Sequence, residues 1–361
     1  MFRLTRYHWR YALLMVLVAS TVSPVDAADP AVSSARLYPV AFTSTSQPRA
    51  PVLRLPLACV LAEGGCVLAR TTDHDPAPAV DQDYRCGPRA SNDHDGTDIA
   101  VRDMTVAART AVLAAAAGTV KATRDGMNDL GTRRQPVEAL QGQDCGNGVV
   151  IDHGNGWETH YCHLRQDSLR VRTGEKVKAG QPLGLVGMSG GSEFPHLHFV
   201  VRYQGRSIDP FSGTDGQTAC NTTAAPLWNA EALAALPWQP SGFYHAGIAS
   251  SRPDLTAARD GDYRQMPTAD APALVLWVEI LAPRKDDQVH FGITAPDGAT
   301  VLDQYVTLEK DQAQWFGFAG ARPAGDHWPS GSYRAAVSLK QAKDGTVQTL
   351  DVPLVIAPAK P

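Results

Sequence analysis

After its first thirty residues the chain is dominated by short apolar runs that alternate with polar residues and are separated by turns rich in glycine and proline. A hydrophobic period of two is typical of β-strands that are buried on one face. A short helical stretch is predicted around residues 229–236. We therefore expect an all-β fold class with little helix. Towards the C-terminus the pattern predicts strands over residues 273–280, 288–293, 304–308, 315–318, 331–337 and 349–356.

The pattern also divides the chain into five predicted segments. At the start, three arginines precede a short apolar run, and a V-D-A sequence that fits a small-residue cleavage site follows it, which is typical of a signal peptide. At the other end, several short strands at regular spacing predict an immunoglobulin-like β-sandwich. The predicted segments are a signal peptide at 1–27, an N-terminal extension with disulfides at 28–88, a β-domain that carries the candidate chemistry at 89–213, a linker at 214–242 and a β-sandwich accessory domain at 243–361.

Composition and charge restrict the class of protein further. The 361 residues are 43% hydrophobic and 19% charged, which is ordinary for a globular protein of about two domains. Cleavage after Ala27 would remove three of the 33 basic and one of the 37 acidic residues and leave a net charge of −6, which argues against nucleic-acid binding. The apolar run at 11–22 is too short for a comfortable membrane span. We therefore expect an exported protein, periplasmic or secreted, without stable membrane insertion.

Six cysteines in an exported chain indicate disulfides rather than thiol chemistry. Fifteen pairings are possible. Two short loops favour particular pairs: one closes a tight turn at residues 63–65 and the other spans a hairpin that turns at residues 154–156. The remaining two cysteines would then bridge the ends of the predicted β-domain. The resulting hypothesis pairs Cys59 with Cys66, Cys145 with Cys162, and Cys86 with Cys220.

Histidine and aspartate recur in three short motifs between residues 94 and 198. The motifs are H-x-x-x-D at 94–98, Y-x-H-L at 161–164 and H-x-H at 196–198. Together they supply three metal ligands and two spare imidazoles, and a catalytic zinc typically has three protein ligands and one open position. The chain lacks the H-E-x-x-H motif with its glutamate base, so any general base would be a histidine. His163 and His196 are the candidates.

Strand alternation indicates which of these side chains share a face. In the H-x-H strand both imidazoles point to the same side of a sheet. In the H-x-x-x-D motif, Gly96 predicts a bulge or bend that lets both ligand side chains reach one ion. On the strand that carries His163, alternation puts Tyr161 on the same face, where it would line a substrate cleft, and Cys162 on the opposite face.

In this order the three motifs resemble the lysostaphin/LytM-type (beta-lytic) zinc metallo-endopeptidases, a family that cuts peptidoglycan peptides. The resemblance implies a LytM-type antiparallel β-sheet of barrel-sandwich-like form, one Zn²⁺ ion per chain and peptidoglycan peptides as substrate. The surrounding sequence agrees over roughly residues 88–212, notably in the glycine-rich segments 148–154, 174–181 and 184–190 and in the segment 208–210.

Residue by residue, the resemblance also implies the roles within the site. The implied zinc ligands are His94, Asp98 and His198, and the implied catalytic histidines are His163 and His196. The implied chemistry is metal-assisted peptide hydrolysis, in which zinc polarises the scissile carbonyl and acidifies water. One imidazole takes the water proton and the other helps to hold the tetrahedral oxyanion. The motifs leave open which histidine does which.

Three functions are compatible with these residues. The leading hypothesis is a zinc endopeptidase that hydrolyses peptidoglycan stem peptides or cross-links. The second is a LytM-type scaffold that activates a cell-wall amidase, and the third is a secreted protease that acts on non-wall proteins. The predicted sandwich carries no catalytic motif, and it could bind wall glycan or a partner through its tryptophans, although core packing is expected for most of them.

Overall fold

A computed structural model describes most of the chain from residue 49 onward. In this part of the chain no helix is long and apolar enough to cross a membrane. The predicted signal peptide at 1–27 lies outside the described residues, as does the predicted extension up to residue 48. The described residues are 49–59, 65–75, 77, 81–132, 134, 136–140, 142–222 and 224–357.

Antiparallel strands make up most of the described structure, as the alternating pattern predicts. The strands are β1 Cys66–Arg70, β2 Thr97–Val101, β3 Ala111–Leu113, β4 Gly118–Arg124, β5 Asn147–Gly154, β6 Trp157–Leu164, β7 Lys176–Val177, β8 Pro182–Leu185, β9 His196–Tyr203, β10 Arg206–Ile208, β11 Gly242–Ala249, β12 Leu274–Leu281, β13 Gln288–Thr294, β14 Thr300–Thr307, β15 Gln314–Ala321, β16 Gly331–Lys340 and β17 Val347–Ile356. The helices are α1 Met104–Ala107, α2 Ala230–Ala235, α3 Leu255–Asp260 and the 3₁₀-helices Val137–Leu140 and Asp262–Arg264.

The first sheet contains the strands that carry the three motifs. Its order is β1-β2-β9-β6-β5-β4-β7, with β10 paired to β9, and every pairing is antiparallel. A separate two-stranded sheet joins β3 to β8. The order brings β2, β9 and β6 together although long stretches of chain separate them, so the motifs become neighbours only through strand pairing.

Alternation along β9 separates the core face of this sheet from the face that carries the motifs. Leu197 and Phe199 are fully buried in the main core cluster, together with Ile99 of β2. Since successive side chains point to opposite faces of a strand, His196 and His198 project from the other face. Both line one groove there, which confirms the predicted shared face.

Two further sheets pack face to face in the C-terminal region. Their orders are β11-β12-β15 and β14-β13-β16-β17, again antiparallel throughout. Leu276 and Val278 of the first sheet meet Phe291 and Val337 of the second in one hydrophobic cluster. Burial of this apolar surface stabilises the pair of sheets. The predictions of an all-β protein and of a C-terminal β-sandwich are confirmed.

One strand of the sandwich escapes the sequence prediction. The pattern predicts no strand at residues 242–249, at the junction of linker and sandwich, yet β11 pairs with β12 from Val275 to Leu281. Its two faces are both largely covered, so polar and apolar residues do not alternate clearly along it. Trp277 and Trp328 are buried, as expected for core residues. The proposed boundaries between the five segments stay predictions.

The three predicted disulfides are confirmed. Cys59 pairs with Cys66 and Cys145 with Cys162, each closing a short loop. The third bond joins Cys86 to Cys220 across 134 residues and ties the segment between β1 and β2 to the segment that follows β10. Covalent closure of such loops reduces the entropy of the unfolded chain and so favours the fold.

Candidate functional site

The three motifs meet on one face of the first sheet, where three strands lie side by side. Asp98 of β2 stands opposite His198 of β9, and His198 stands opposite Cys162 of β6. His94 lies in the turn before β2, and His163 lies near the end of β6. Long-range pairing of strands therefore assembles the site from distant segments.

A bend at Gly96 brings the first motif onto β9. A side chain at this position would place its Cβ 2.7 Å from the carbonyl oxygen of Phe199 and 2.9 Å from Cε1 of His198. Real Cβ atoms do not approach backbone so closely, so this approach of the two segments requires glycine. The predicted bend is confirmed, and it lets the side chain of His94, which lies before β2, approach the side chain of Asp98.

Three side chains bring ligand-type atoms into one small space. Oδ1 of Asp98 lies 3.1 Å from Nε2 of His94 and 2.8 Å from Nδ1 of His198. The donor atoms of the three residues all lie within 4.8 Å of one another. Tetrahedral zinc with ligands at about 2.0–2.2 Å places neighbouring donor atoms about 3.3–3.6 Å apart. The three residues therefore have the spacing of a metal site.

The hydrogen bonds of His94 leave a ligand nitrogen available. Its Nδ1 donates to the backbone carbonyl of Thr71 over 2.8 Å, so its Nε2 carries a lone pair. In the described structure this Nε2 is buried and has no hydrogen-bond partner. Burial of an unpaired nitrogen is unfavourable unless something binds to it. The residues therefore fit a metal ion.

Charges around Asp98 and His198 favour the ionised form of both. Burial acts to raise the pKa of Asp98, but the imidazoles of His94 and His196 outweigh it and hold that pKa well below its usual value. Burial likewise acts to lower the pKa of His198, but hydrogen bonds to the carboxylates of Asp95 and Asp98 raise it to about 9. At neutral pH the carboxylate of Asp98 is therefore charged and able to bind a cation.

Two further imidazoles lie beside this set. Nδ1 of His163 donates to the carbonyl of Ser189 over 2.7 Å, and Nδ1 of His196 donates to the carbonyl of Phe194 over 2.8 Å. Nε2 of His196 lies 3.4 Å from Oδ1 of Asp98. The ring centroids of His163 and His196 are 4.7 Å apart. When either imidazole is neutral, its proton sits on the Nδ1 that the carbonyl holds, so its Nε2 presents a lone pair.

Burial keeps His163 neutral. Its side chain is almost completely buried, and the loss of hydration holds its pKa well below the ordinary value. The neighbouring imidazoles of His196 and His198 act in the same direction, because a second positive charge beside them is unfavourable. A neutral imidazole with a fixed orientation presents an unprotonated nitrogen at neutral pH, which is the form that acts as a general base.

All five residues line an open groove of about 770 Å³. Cavities of this size bind small ligands or a short length of peptide. The walls carry charges of both signs, so the groove suits a polar substrate. The charged residues around the five are Arg70, Asp95, Asp144, Glu193 and Arg202.

Comparison with known proteins identifies this part of the chain. Residues 92–210 match Peptidase family M23, and this span contains the five histidine and aspartate residues described above. The chain carries a peptidase family M23 domain. The family is zinc-dependent, which agrees with the three donor residues of the M23 domain. The resemblance inferred from the motifs is confirmed.

Curated relatives are similar to the chain over short stretches. The murein hydrolase activator EnvC of Escherichia coli (strain K12) is 41% identical over 100 residues, which are 27% of this chain and 22% of EnvC. The peptidoglycan DD-endopeptidase ShyA of Vibrio cholerae is 44% identical over 64 residues, which are 18% of this chain and 14% of ShyA. The chain thus spans less than a quarter of either relative.

Solved structures of similar proteins include the catalytic domain of the antimicrobial peptidase lysostaphin from Staphylococcus simulans. Its sequence is 26% identical, and the match covers 33% of this chain and 77% of that domain with a TM-score of 0.24.

On β6 of the M23 domain, the side chains of two residues point to the opposite face from the one that alternation predicts. Tyr161 is buried in the core, where its hydroxyl accepts a hydrogen bond from the amide of Ala115 over 2.8 Å and burial raises its pKa to about 12. Its predicted place in the cleft is wrong. Cys162 lines the groove together with its disulfide partner Cys145. The reason is that His163 has φ +63°, which breaks the alternation and lets both Cys162 and His163 reach the groove.

Three charged residues beside the M23 ligands are absent from the sequence-based prediction. Asp95 accepts hydrogen bonds from Nε2 of His198 over 3.1 Å and from Arg202 over 3.0 Å. Arg202 lies four residues after His198 on β9, so the period-two pattern contains a signal for it. Arg70 lies on β1, paired with Asp98, and its guanidinium is 3.9 Å from that carboxylate. No local pattern points to Arg70, because it reaches the site only through the pairing of β1 with β2.

Proposed function

We propose that the protein is a zinc-dependent endopeptidase that hydrolyses peptide bonds in peptidoglycan stem peptides or cross-links. One observation carries the proposal: the donor atoms of His94, Asp98 and His198 lie within 4.8 Å of one another, in the same groove as the imidazoles of His163 and His196. Membership of the domain in family M23, and the naming of ShyA as a peptidoglycan DD-endopeptidase, support this reaction and substrate class.

In this proposal His94, Asp98 and His198 hold one zinc ion. A bound zinc ion supplies a Lewis acid that polarises the scissile carbonyl and acidifies a water molecule. The chain orients its ligands through further contacts: the carbonyl of Thr71 holds the ring of His94, and the carboxylate of Asp95 holds the ring of His198. Such outer contacts fix the tautomer and direction of a ligating imidazole.

His163 and His196 carry out proton transfer in this proposal. Backbone carbonyls hold both rings at Nδ1, so Nε2 is the atom that exchanges protons with water or substrate. One Nε2 accepts the proton of the attacking water, and the N–H that results then donates it to the leaving amine. A protonated Nε2 on the other ring would stabilise the oxyanion by a hydrogen bond.

An amidase-activating scaffold is the competing function, since EnvC is named a murein hydrolase activator. The donor set and the buried neutral base favour the hydrolase, because a scaffold has no physical use for an unpaired imidazole nitrogen or for a ligand cluster. A protease that acts on non-wall proteins would use the same groove. The non-wall protease differs from the peptidoglycan endopeptidase in its substrate and not in the chemistry of its site.

Digestion of purified sacculi tests the proposal. The mature chain is incubated with sacculi with and without a zinc chelator, beside the variant His198→Ala, and the released products are analysed by mass spectrometry. We expect new peptide termini that vanish with the chelator and in the variant, because both remove the metal. If zinc-loaded protein releases nothing from sacculi, the proposal fails. An amidase panel and a protein-substrate panel then distinguish the other two functions.

Export to the periplasm or the medium is part of the proposal. Three disulfides support it, because such bonds persist in oxidising compartments and are rare in the reducing cytosol. Fractionation of cells that express the full chain, with an N-terminal sequence of the product, tests both export and the predicted cleavage after Ala27. Recovery of uncleaved chain in the cytosol would contradict it.

Asp95 offers a test of zinc binding that does not depend on turnover. Its carboxylate bridges Nε2 of His198 and Arg202, and it is about half exposed, so substitution does not disturb the core. We expect Asp95→Ala to weaken zinc affinity by about 10- to 100-fold, as for other partners of ligating histidines, and Asp95→Asn to lie between it and the parent. Competition with a chromophoric chelator measures the affinity. The matched control is Asp93→Asn in the same turn, and equal affinities for Asp95→Ala and this control would refute the role.

A further inference from the structure

We propose that the C-terminal β-sandwich is part of the catalytic scaffold, and that Arg259 is the positioning residue through which it holds His196. The inference rests on the proposed function for the role of His196, although the contacts themselves do not. In this inference the accessory sandwich helps to position a side chain of the active site. The contacts run from the sandwich to Arg259, from Arg259 to the turn at Glu193 and Phe194, and from that turn to the imidazole.

Arg259 is anchored on the sandwich side. It lies on α3 with its side chain 2% exposed, and its guanidinium donates to both carboxylate oxygens of Glu279 on β12. Gln314 of β15 accepts a further hydrogen bond from Nη2 over 2.8 Å, and His245 of β11 holds the same carboxylate over 3.0 Å. All three strands of one sandwich sheet therefore fix the guanidinium in place.

From this anchor Arg259 reaches the M23 domain. Its Nη1 donates to the backbone carbonyl of Glu193 over 2.8 Å. The guanidinium carbon also lies 5.4 Å from the centre of the Phe194 ring, at cation–π distance. Two contacts from one rigid, planar group thus restrain two successive residues of the turn that precedes β9.

That turn sets the position and tautomer of His196. The carbonyl of Phe194 accepts from Nδ1 of His196 over 2.8 Å and from the hydroxyl of Ser192 over 2.7 Å. The ring of Phe194 lies 4.4 Å from the imidazole. A shift of the turn would therefore move the Nδ1 acceptor and the packing of the ring together, and with them the direction of Nε2.

The sandwich confines the same turn from a second side. Tyr244 of β11 packs its ring edge-on against Phe194, with centroids 5.7 Å apart, and its hydroxyl donates to the carbonyl of Val101 over 2.7 Å. Both aromatic residues belong to one buried cluster with Leu281 of β12. The turn is therefore enclosed between the first sheet and the sandwich, and Arg259 adds a charged contact from the sandwich side, opposite the contact that Arg70 makes from the first sheet.

A residue that positions a proton-transfer group has a characteristic kinetic signature. Displacing the imidazole slows the chemical step, so kcat falls while KM changes little. Zinc affinity does not change, since the ligands His94, Asp98 and His198 make no contact with Arg259 in the described structure. This separates Arg259 from Asp95, whose loss is expected to reduce zinc affinity.

The test compares Arg259→Lys with Tyr244→Phe in the full mature chain. Lysine keeps the positive charge beside Glu279 but lacks the planar fork that reaches the carbonyl of Glu193 as well. We expect kcat on sacculi to fall at least about 10-fold with KM and zinc affinity within about twofold of the parent, as for a misplaced catalytic group. Tyr244→Phe removes one hydrogen bond at the same interface and keeps its ring, so we expect kcat to stay within about twofold.

NMR of the His196 imidazole supplies a readout that needs no activity. In the parent we expect a slowly exchanging Nδ1 proton, and in Arg259→Lys a faster exchange and a shifted resonance. If Arg259→Lys does not fold, Arg259→Met combined with Glu279→Gln carries the test, because it removes the buried ion pair as a unit, keeps an acceptor for His245 and leaves the residues that touch His196 unchanged. A folded variant with unchanged kcat and an unchanged His196 signal overturns the inference. If the parent is inactive on sacculi but Arg259→Lys still shifts the His196 resonance, the proposed function alone is overturned.

Discussion

Replacement of Asp98 by asparagine is expected to abolish hydrolysis of sacculi and to weaken zinc binding by more than about 100-fold, beyond the range seen for partners of ligands. Oδ1 of Asp98 lies within 3.4 Å of nitrogen atoms of His94, His196 and His198, so its negative charge is the electrostatic centre of the site. Asparagine keeps the shape of the side chain but loses that charge. Zinc content after dialysis, and product release from sacculi, measure the two effects.

The control for Asp98→Asn is again Asp93→Asn, which changes the same residue type five positions earlier and outside the donor set. Asp93 has φ +58°, a conformation that asparagine tolerates. We expect this control to bind zinc and to digest sacculi like the parent. Retention of tightly bound zinc by folded Asp98→Asn would exclude the ligand set proposed above, because Asp98 supplies the carboxylate of the donor set that the described residues form.

The second large effect is expected at His163. His163→Asn should lower kcat by about 100- to 10,000-fold, the usual contribution of general acid–base catalysis, while zinc stays bound. The ring is oriented by the carbonyl of Ser189 and kept neutral by burial, and it does not belong to the donor set. Single-turnover cleavage of a soluble cross-linked peptide, with zinc content measured on the same sample, separates these two quantities.

His290→Asn is the matched control for His163→Asn. This residue lies on β13 in the sandwich, is partly exposed and pairs with Asp303 at 2.7 Å. We expect activity and zinc content like those of the parent. Loss of zinc in His163→Asn would mean that His163 belongs to the ligand set, and unchanged kcat would remove it from proton transfer.

The four variants divide the site into separate physical tasks. Replacement of Asp98 is expected to reduce zinc binding and turnover together, and replacement of Asp95 is expected to reduce mainly zinc affinity. His163 and Arg259 are expected to affect turnover without zinc loss, the first by direct proton transfer and the second through His196. A general destabilisation of the M23 domain would move all these quantities in parallel, so the pattern across variants tests the assignment more sharply than any single loss of activity.

Local periodicity predicted much of the architecture. The strand predictions at residues 288–293 and 331–337 lie within β13 and β16, because each has one face in the sandwich core and the other towards solvent. The helix predicted around residues 229–236 is observed as α2, where the side chain of Asn229 accepts from the amide of Ala232 at its start. β11 was missed because both of its faces are largely covered.

The candidate site followed from the sequence for a different reason. The H-x-H pair shares a face by strand geometry alone, and Gly96 marks the bend that brings His94 beside Asp98. The assignment of particular residues as ligands came from the resemblance of three motifs to one family. Alternation misplaced Tyr161 and Cys162, since it assumes regular strand geometry up to His163, whose φ is +63°.

What the sequence alone determined, then, is the chemistry-bearing residue types and the period-two strands that carry them, because both depend on near neighbours in the chain. Only the tertiary structure decided which strands pair, and pairing placed Arg70 opposite Asp98. It also placed Arg259 of the sandwich on the turn that holds His196. Contacts between segments so far apart depend on packing and register over the whole fold, and no local pattern of residues encodes them.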